Sequence, residues 1–89
     1  MPMPENIYFK PRTTPQERDE CFRWYEEHMD RLPKSIKVKG LNILNLPRFA
    51  RRSIQSLKVH LNQSSVFEGQ FSILRLVQET LRQDPNFED

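Results

Sequence analysis

Residues 45–61 read NLPRFARRSIQSLKVHL, a stretch with a strong helical period. Its apolar residues recur three and four positions apart, as on one face of a helix, and its charged residues fall on the opposite face. Asn45 suits an N-cap, and Pro47 is tolerated in the first helical turn. The pattern predicts an amphipathic helix over 45–61. The apolar face comprises Leu46, Phe49, Ala50, Ile54, Leu57 and Leu61. The outer face, whose charged residues are all basic, comprises Arg48, Arg51, Arg52, Gln55 and Lys58.

A second helix is predicted on the N-terminal side of this stretch. Thr14 is a good N-cap, Pro15 suits the first helical position, and Glu17 completes a capping box with Thr14. Pro33 disfavours a helical conformation at the residue before it and so ends the helix. We therefore expect a helix over 14–32.

A third helix is predicted on the C-terminal side. Ser65 and Glu68 have the spacing of another capping box, and the apolar residues that follow keep a helical period. We expect this helix over 65–82. From Asp84 onward the chain is acidic and contains Pro85, so we expect a frayed end.

The segment between the first two helices changes period. Ile36 and Val38 alternate with polar residues, which is typical of a strand, and Lys39-Gly40 offers a turn. The segment is either a short extended connection or a hairpin. The fold class is accordingly mostly α: a three-helix domain with a short extended segment or hairpin between helices 1 and 2.

The chain divides into an N-terminal arm at 1–13, a single helical domain at 14–83 and an acidic, frayed tail at 84–89. Three prolines keep the arm from being helical. The length of 89 residues fits one domain. The expected core is made of Phe22, Tyr25, Met29, Leu46, Phe49, Ile54, Leu57, Ile73, Leu74, Val77 and Leu81.

Composition favours a cytoplasmic protein with no membrane contact. The single cysteine, Cys21, cannot form an internal disulfide. No apolar run approaches the roughly 20 residues that span a bilayer, and the first residues do not resemble a signal peptide.

The residue types that catalysis needs are sparse. Cys21 and His28 are seven residues apart on one helix, roughly 10 Å, which is too far for a thiol–imidazole pair. No Cys-x-x-Cys or His-Glu-x-x-His motif suggests zinc. Gly40 and Gly69 occur in unrelated contexts, so no glycine-rich phosphate loop is present. We expect no enzymatic activity, no metal, no cofactor and no small-molecule substrate.

The charge distribution is the most unusual feature. Residues 34–60 carry seven basic and no acidic side chains, although the net charge of the whole chain is only +2. We call these seven cations the basic block. It consists of Lys34, Lys37, Lys39, Arg48, Arg51, Arg52 and Lys58.

Two functions suit the basic block. Clustered cations gain free energy on phosphates by releasing counterions, which favours a nucleic-acid-binding module. Alternatively, the block balances the acidic first and third helices, within the molecule or across a homodimer. The second case points to a protein-interaction or homodimeric regulatory module, with Trp24 and Phe71 at the edges of their apolar faces as candidate interface anchors.

Two arrangements of the predicted elements could place cations in a DNA groove. In a helix-turn-helix the second helix of the pair reads the groove. In this chain that would be the third helix, whose exposed face carries two glutamates. A β-ribbon would present Ser35, Lys37 and Lys39 to the groove ahead of two helices. Against the ribbon, the second helix is long, and residues 40–42 interrupt the approach to it.

Three sequence cues occur in order: LPKSIKV at 32–38, NLPRF at 45–49, and a leucine-rich final helix. This order resembles a small bacterial domain family of unknown function, over residues 32–81. The resemblance implies a helix, a Leu-Pro-Lys extended stretch and a capped second helix, with no assigned catalytic residue. Arg48, Arg51 and Arg52 depart from the mixed charge that the family usually has on its second helix.

Overall fold

The computed structural model describes residues 13–60 and 64–87. Within them the chain forms three α-helices and a two-stranded hairpin, so the fold is mostly α as predicted. The elements are α1 (Pro15–His28), a 3-10 turn (Met29–Arg31), β1 (Ser35–Val38), β2 (Leu41–Leu44), α2 (Leu46–Val59) and α3 (Ser64–Arg82). The arm at 1–12, the predicted end of the second helix at Leu61 and the last two residues lie outside the described part.

Helix α1 begins with the predicted capping box. The Thr14 hydroxyl accepts from the Glu17 amide at 3.1 Å, and the Glu17 carboxylate accepts from the Thr14 amide at 2.9 Å. The hydrogen bond with the Thr14 backbone is the largest cause that lowers the pKa of Glu17, followed by the bond with the Thr14 side chain. Arg75 lowers this pKa further. The helix ends earlier than position 32, because its last turn tightens to 3-10 and Leu32 is already extended before Pro33.

The segment at 35–44 is a hairpin. Its strands are antiparallel with Val38 opposite Leu41, which leaves Lys39 and Gly40 as a two-residue turn. Their φ angles of 45° and 80° are both positive, as a type I′ turn requires. Gly40 adopts this conformation without strain, whereas Lys39 does so despite its Cβ atom.

The connection from the hairpin to α2 corrects the predicted role of Asn45. Asn45 occupies the N-cap position, but its side chain makes no capping hydrogen bond. Its backbone is left-handed, with φ 52° and ψ 59°, a region that asparagine enters more readily than most residues. The Leu46 amide donates to the Lys34 carbonyl at 2.7 Å, so the open end of the hairpin is fastened to the first turn of α2.

Helix α3 begins at Ser64, so Ser65 is its second residue and not its N-cap. The Ser65 side chain lies outside the described part. The carboxylate of Glu68, its predicted partner, accepts from the Thr13 amide at 3.2 Å and from the Thr13 hydroxyl at 3.0 Å. These bonds hold the start of α1 against the start of α3.

The core fills the space between the three helices and the inner face of the hairpin. Three of the predicted core residues, Met29, Phe49 and Ile73, are only partly buried and pack at its margin. The buried side chains are Cys21, Phe22, Tyr25, Leu32, Val38, Ile43, Leu46, Ala50, Ile54, Leu57, Phe67, Phe71, Leu74, Val77 and Leu81.

The end of the described chain is folded back, which corrects the prediction of fraying for residues 84–87. The Phe87 amide donates to the Asp84 carbonyl at 3.0 Å, and the Asn86 amide donates to the Asp84 carboxylate at 2.9 Å. This turn places the Phe87 ring against α1, where its centroid lies 6.0 Å from that of Trp24. Aromatic packing of this kind offsets the entropy cost of ordering a short tail.

One buried polar contact joins α1 to α3. The Tyr25 side chain is fully buried, and its hydroxyl donates to the Leu74 carbonyl at 2.5 Å. Burial raises the pKa of Tyr25, so the hydroxyl stays protonated and remains a donor.

Replacing Tyr25 by Phe keeps the packing of the ring and removes this hydrogen bond. We expect Tyr25→Phe to lower the free energy of unfolding by about 1 kcal/mol. Ser72→Ala is the matched control, because the exposed Ser72 hydroxyl also donates to a backbone carbonyl, that of Glu68. The control should change stability by less than about 0.5 kcal/mol. Urea denaturation followed by circular dichroism measures both, and equal losses would contradict a special contribution from the buried bond.

Candidate nucleic-acid interface

Helix α2 carries four members of the basic block on one exposed face. Leu46, Ala50 and Leu57 are fully buried and Ile54 is 6% exposed, so the opposite side of the helix faces solvent. Its exposed side chains are Arg48, Arg51, Arg52, Gln55, Lys58 and Val59. From Arg48 to Lys58 this face is roughly 15 Å long, at 1.5 Å per residue. It contains no carboxylate, since α2 has no acidic residue.

The remaining three cations lie along the hairpin. Lys34 is exposed at its open end, beside the first turn of α2, because the Lys34 carbonyl binds the Leu46 amide there. Lys37 is on the outer face of β1, opposite Asn42. Lys34 therefore extends the basic face of α2, and Lys37 lies farther along the sheet.

Lys39 is at the far end of the hairpin, roughly 16 Å of extended chain away from Lys34. It lines a shallow groove against α3 together with Glu68 and Glu79. The structure therefore separates Lys39 from the cations of α2 and places it near acidic side chains. The seven cations, contiguous in the charge pattern, form one basic helical face and a sparser line along the hairpin.

None of the seven cations makes an ion pair within the described ranges, 13–60 and 64–87. Two acidic side chains of α1 pair with arginines outside the block: Asp19 with Arg23 at 3.7 Å, and Glu17 with Arg75 at 3.3 Å. The alternative that the block neutralises acidic helices within one molecule receives no support from these contacts.

Three large apolar side chains are exposed beside these cations. Val59 is 77% exposed on the basic face of α2, and Leu44 is 71% exposed on the outer face of β2. Leu41, next to the hairpin turn, is 46% exposed. The sequence prediction missed these positions. The helical period puts Val59 among the cations, and the strand alternation puts Leu44 on the face of β2 opposite to that of the buried Ile43.

The two predicted interface anchors are not brought together on one surface. Phe71 is 1% exposed and packs against Phe22 and Phe67, with ring centroids 5.9 and 5.7 Å away. A side chain so deeply buried offers no contact to a partner, so the structure corrects the prediction for Phe71. Position 71 is at the edge of the apolar arc of α3, but the ring of Phe22 covers it.

Trp24 is half-buried in an aromatic cluster. It stacks on His28, with centroids 4.3 Å apart and planes 19° apart, and makes an edge contact with Tyr25. Phe87 covers another side of the ring, and the Arg31 guanidinium lies 5.0 Å from the Phe87 centroid. Most of the ring of Trp24 is thus engaged within the molecule.

Cys21 lies in the core, and His28 packs against Trp24 on the same helix. Cys21 is 3% exposed, and burial raises its pKa to about 11, which keeps the thiol protonated. His28 pairs through Nδ1 with the Trp24 carbonyl at 2.8 Å. In the described part of the chain, no group of three or more His, Cys, Asp or Glu side chains has the arrangement that could hold a metal ion. Nor does any helix there combine the length and apolar character needed to cross a membrane.

No protein-family model, curated protein or solved structure matches the chain. The resemblance of residues 32–81 to a bacterial domain family therefore rests on its sequence cues alone. Any functional interpretation therefore rests on the geometry and charge of the site.

Alkylation tests the setting of Cys21. With its pKa at about 11, the thiolate fraction at pH 8 is about a hundredfold lower than that of an ordinary thiol. We expect iodoacetamide to modify the folded protein at least that much more slowly than the same protein in urea, as measured by mass spectrometry. Comparable rates in the two states would show an accessible thiolate and reopen a chemical role for Cys21.

Proposed function

We propose that this protein is a small, non-enzymatic cytoplasmic module that contacts nucleic acid through its basic block. One observation carries the proposal: four cations share a single exposed face of α2 on which there is no carboxylate. A phosphate backbone that binds such a face releases condensed counterions, which supplies most of the free energy of nonspecific nucleic-acid binding. The lone buried thiol suits the reducing cytoplasm.

The absence of ion pairs in the described part supports this use of the block. A cation already paired with a carboxylate would have to break that pair before it could bind phosphate. The cations of α2 have no such pair there, so they are available without this cost. We expect Arg48, Arg51, Arg52 and Lys58 to dominate binding, Lys34 to assist, and Lys39 to contribute least because it is near Glu68 and Glu79.

A charge-reversal variant tests the proposal. Fluorescence anisotropy of labelled random-sequence DNA and RNA, titrated at two or more salt concentrations, gives the affinity and its salt slope. For wild type we expect binding that weakens steeply with salt. Arg51→Glu with Arg52→Glu should weaken binding at least about tenfold at low salt and reduce the slope by about two, because two phosphate contacts are lost.

The matched control reverses two arginines outside the block. Arg23 and Arg82 are exposed on α1 and at the end of α3, so Arg23→Glu with Arg82→Glu changes the net charge by the same amount. This control should bind nearly as wild type does. Equal loss in both variants would mean that only the overall charge matters. Full binding by the Arg51 and Arg52 double variant, with its helical circular dichroism intact, would end the proposal.

Protein interaction is a second candidate function, and the exposed leucines of β2 favour it. Leu41 and Leu44 lie on a strand of a hairpin that has no third strand in the described part of the chain. Unpaired strand edges with apolar side chains pair readily with another chain, including a second copy of this one. In this reading the partner is another protein or the protein itself, as a homodimer.

Sedimentation equilibrium at a low and a high protein concentration tests the homodimer. If β2 forms the interface, wild type should associate as concentration rises, and Leu44→Ser should shift the equilibrium towards monomer. Val59→Ser, equally exposed but on α2, is the control and should leave association unchanged. A wild-type particle that stays monomeric at both concentrations would rule out the homodimer.

A further inference from the structure

We propose further that α2 enters the major groove of duplex DNA and reads base edges, with Gln55 and Arg48 as the reading residues. This inference rests on the proposed nucleic-acid function and gives it a substrate class. It depends on the order of side chains across the exposed face of α2, and not on the number of cations alone.

The exposed face of α2 has an uncharged and apolar component at its centre. At about 100° per residue, Gln55, Arg48 and Val59 fall within about 40° of one another in the middle of the exposed arc. Arg51 and Lys58 lie on one side of them. Arg52 lies on the other side. Cations thus flank a central line that includes a carboxamide and an isopropyl group.

This order fits a groove better than it fits a phosphate backbone alone. Side chains at the two margins of a helix in the major groove are near the phosphates of the two strands, and those at its centre meet base edges. Glutamine pairs with adenine through two hydrogen bonds, arginine pairs with guanine, and apolar groups contact the thymine methyl. Gln55 and Val59, which is 77% exposed, would lie at base edges if this face of α2 entered the groove.

The surroundings of α2 leave the approach open. A shallow groove between α2 and α3 borders the Arg52 margin, and no carboxylate lines it. Its lining residues are Phe49, Arg52, Ser53, Ser56, Gln70 and Ile73. The B-DNA major groove, about 12 Å wide, admits an α-helix with its side chains. The buried stripe of α2 holds the helix against the core, so the reading side chains project from a rigid support.

The other two elements are weaker candidates for this role. Helix α3 exposes Glu79, and the outer face of the hairpin carries one cation, Lys37, with Asn42 and the exposed Leu44. A glutamate would be repelled by the phosphates that flank a groove. The distribution of charge therefore favours α2 over α3 and over the hairpin as the element that enters the groove.

A helix in the major groove implies a preference among nucleic acids. The major groove of A-form RNA is deep and too narrow for side chains to read, so duplex RNA should bind only through its phosphates. Single strands present no groove. We therefore expect duplex DNA to be bound more tightly than duplex RNA or single-stranded DNA of the same length and charge.

The test begins with selection of bound duplexes from a randomised DNA library by the full-length protein. Wild type, Gln55→Ala and Lys58→Ala are then compared on the selected duplex, a scrambled duplex, and duplex RNA. For wild type we expect an enriched sequence and a clear preference for the selected duplex. Gln55→Ala should reduce that preference about fivefold or more while leaving binding to the scrambled duplex nearly unchanged. Lys58→Ala should weaken both duplexes alike.

The outcomes separate this inference from the proposed function. Salt-dependent binding with no enriched sequence, duplex RNA bound as tightly as duplex DNA, or an unchanged preference in Gln55→Ala would each overturn groove reading while the nucleic-acid function stands. No binding to any of the three probes at low salt would overturn both. Alanine favours helix, so neither single variant is expected to unfold α2.

Discussion

The burial of one apolar stripe of α2 determines the arrangement of the charged surface. Leu46, Ala50 and Leu57 are completely buried and Ile54 nearly so, against α3 and the inner face of the hairpin. A helix that buries one side this fully has no rotational freedom, because turning it would expose the stripe to water at about 25 cal/mol for each Å². The side chains opposite the stripe must face solvent, and in this chain they are mostly cations.

The axial position of α2 depends on a smaller device at its start. Asn45 turns the chain through a left-handed conformation, and the Leu46 amide binds the Lys34 carbonyl across the open end of the hairpin. This hydrogen bond places Lys34 beside the basic face of α2, whereas Lys39, at the other end of the hairpin, lies near α3. A change in this connection would rearrange the charged surface without altering any charge.

The fold was largely predictable because its signals are local. Capping at Thr14, the helix ending near Pro33, the strand alternation and the period of α2 each depend on residues within a few positions of one another. The errors arose where distant parts of the chain meet. The helical period alone places Phe71 at the edge of an apolar face, but in the structure Phe22 packs against it. The sequence predicts a frayed tail at 84–87, but Phe87 packs against Trp24. Glu68 had the spacing to cap its own helix, yet its carboxylate binds Thr13.

The sequence predicts the excess of cations at the candidate site. It does not predict that the cations are divided between one face of α2 and the hairpin. Counting charges along the sequence treats the seven cations as equivalent, whereas only those of α2 share one face free of carboxylates. Cations at 48 and 52, and at 48 and 51, are neighbours on the helix and repel one another by a few tenths of a kcal/mol per pair. No carboxylate in the described part relieves this repulsion through an ion pair. A bound polyanion would relieve it, and the relief adds to the free energy gained from counterion release. The electrostatic cost that α2 carries when alone is thus a physical reason to expect an anionic partner on that face.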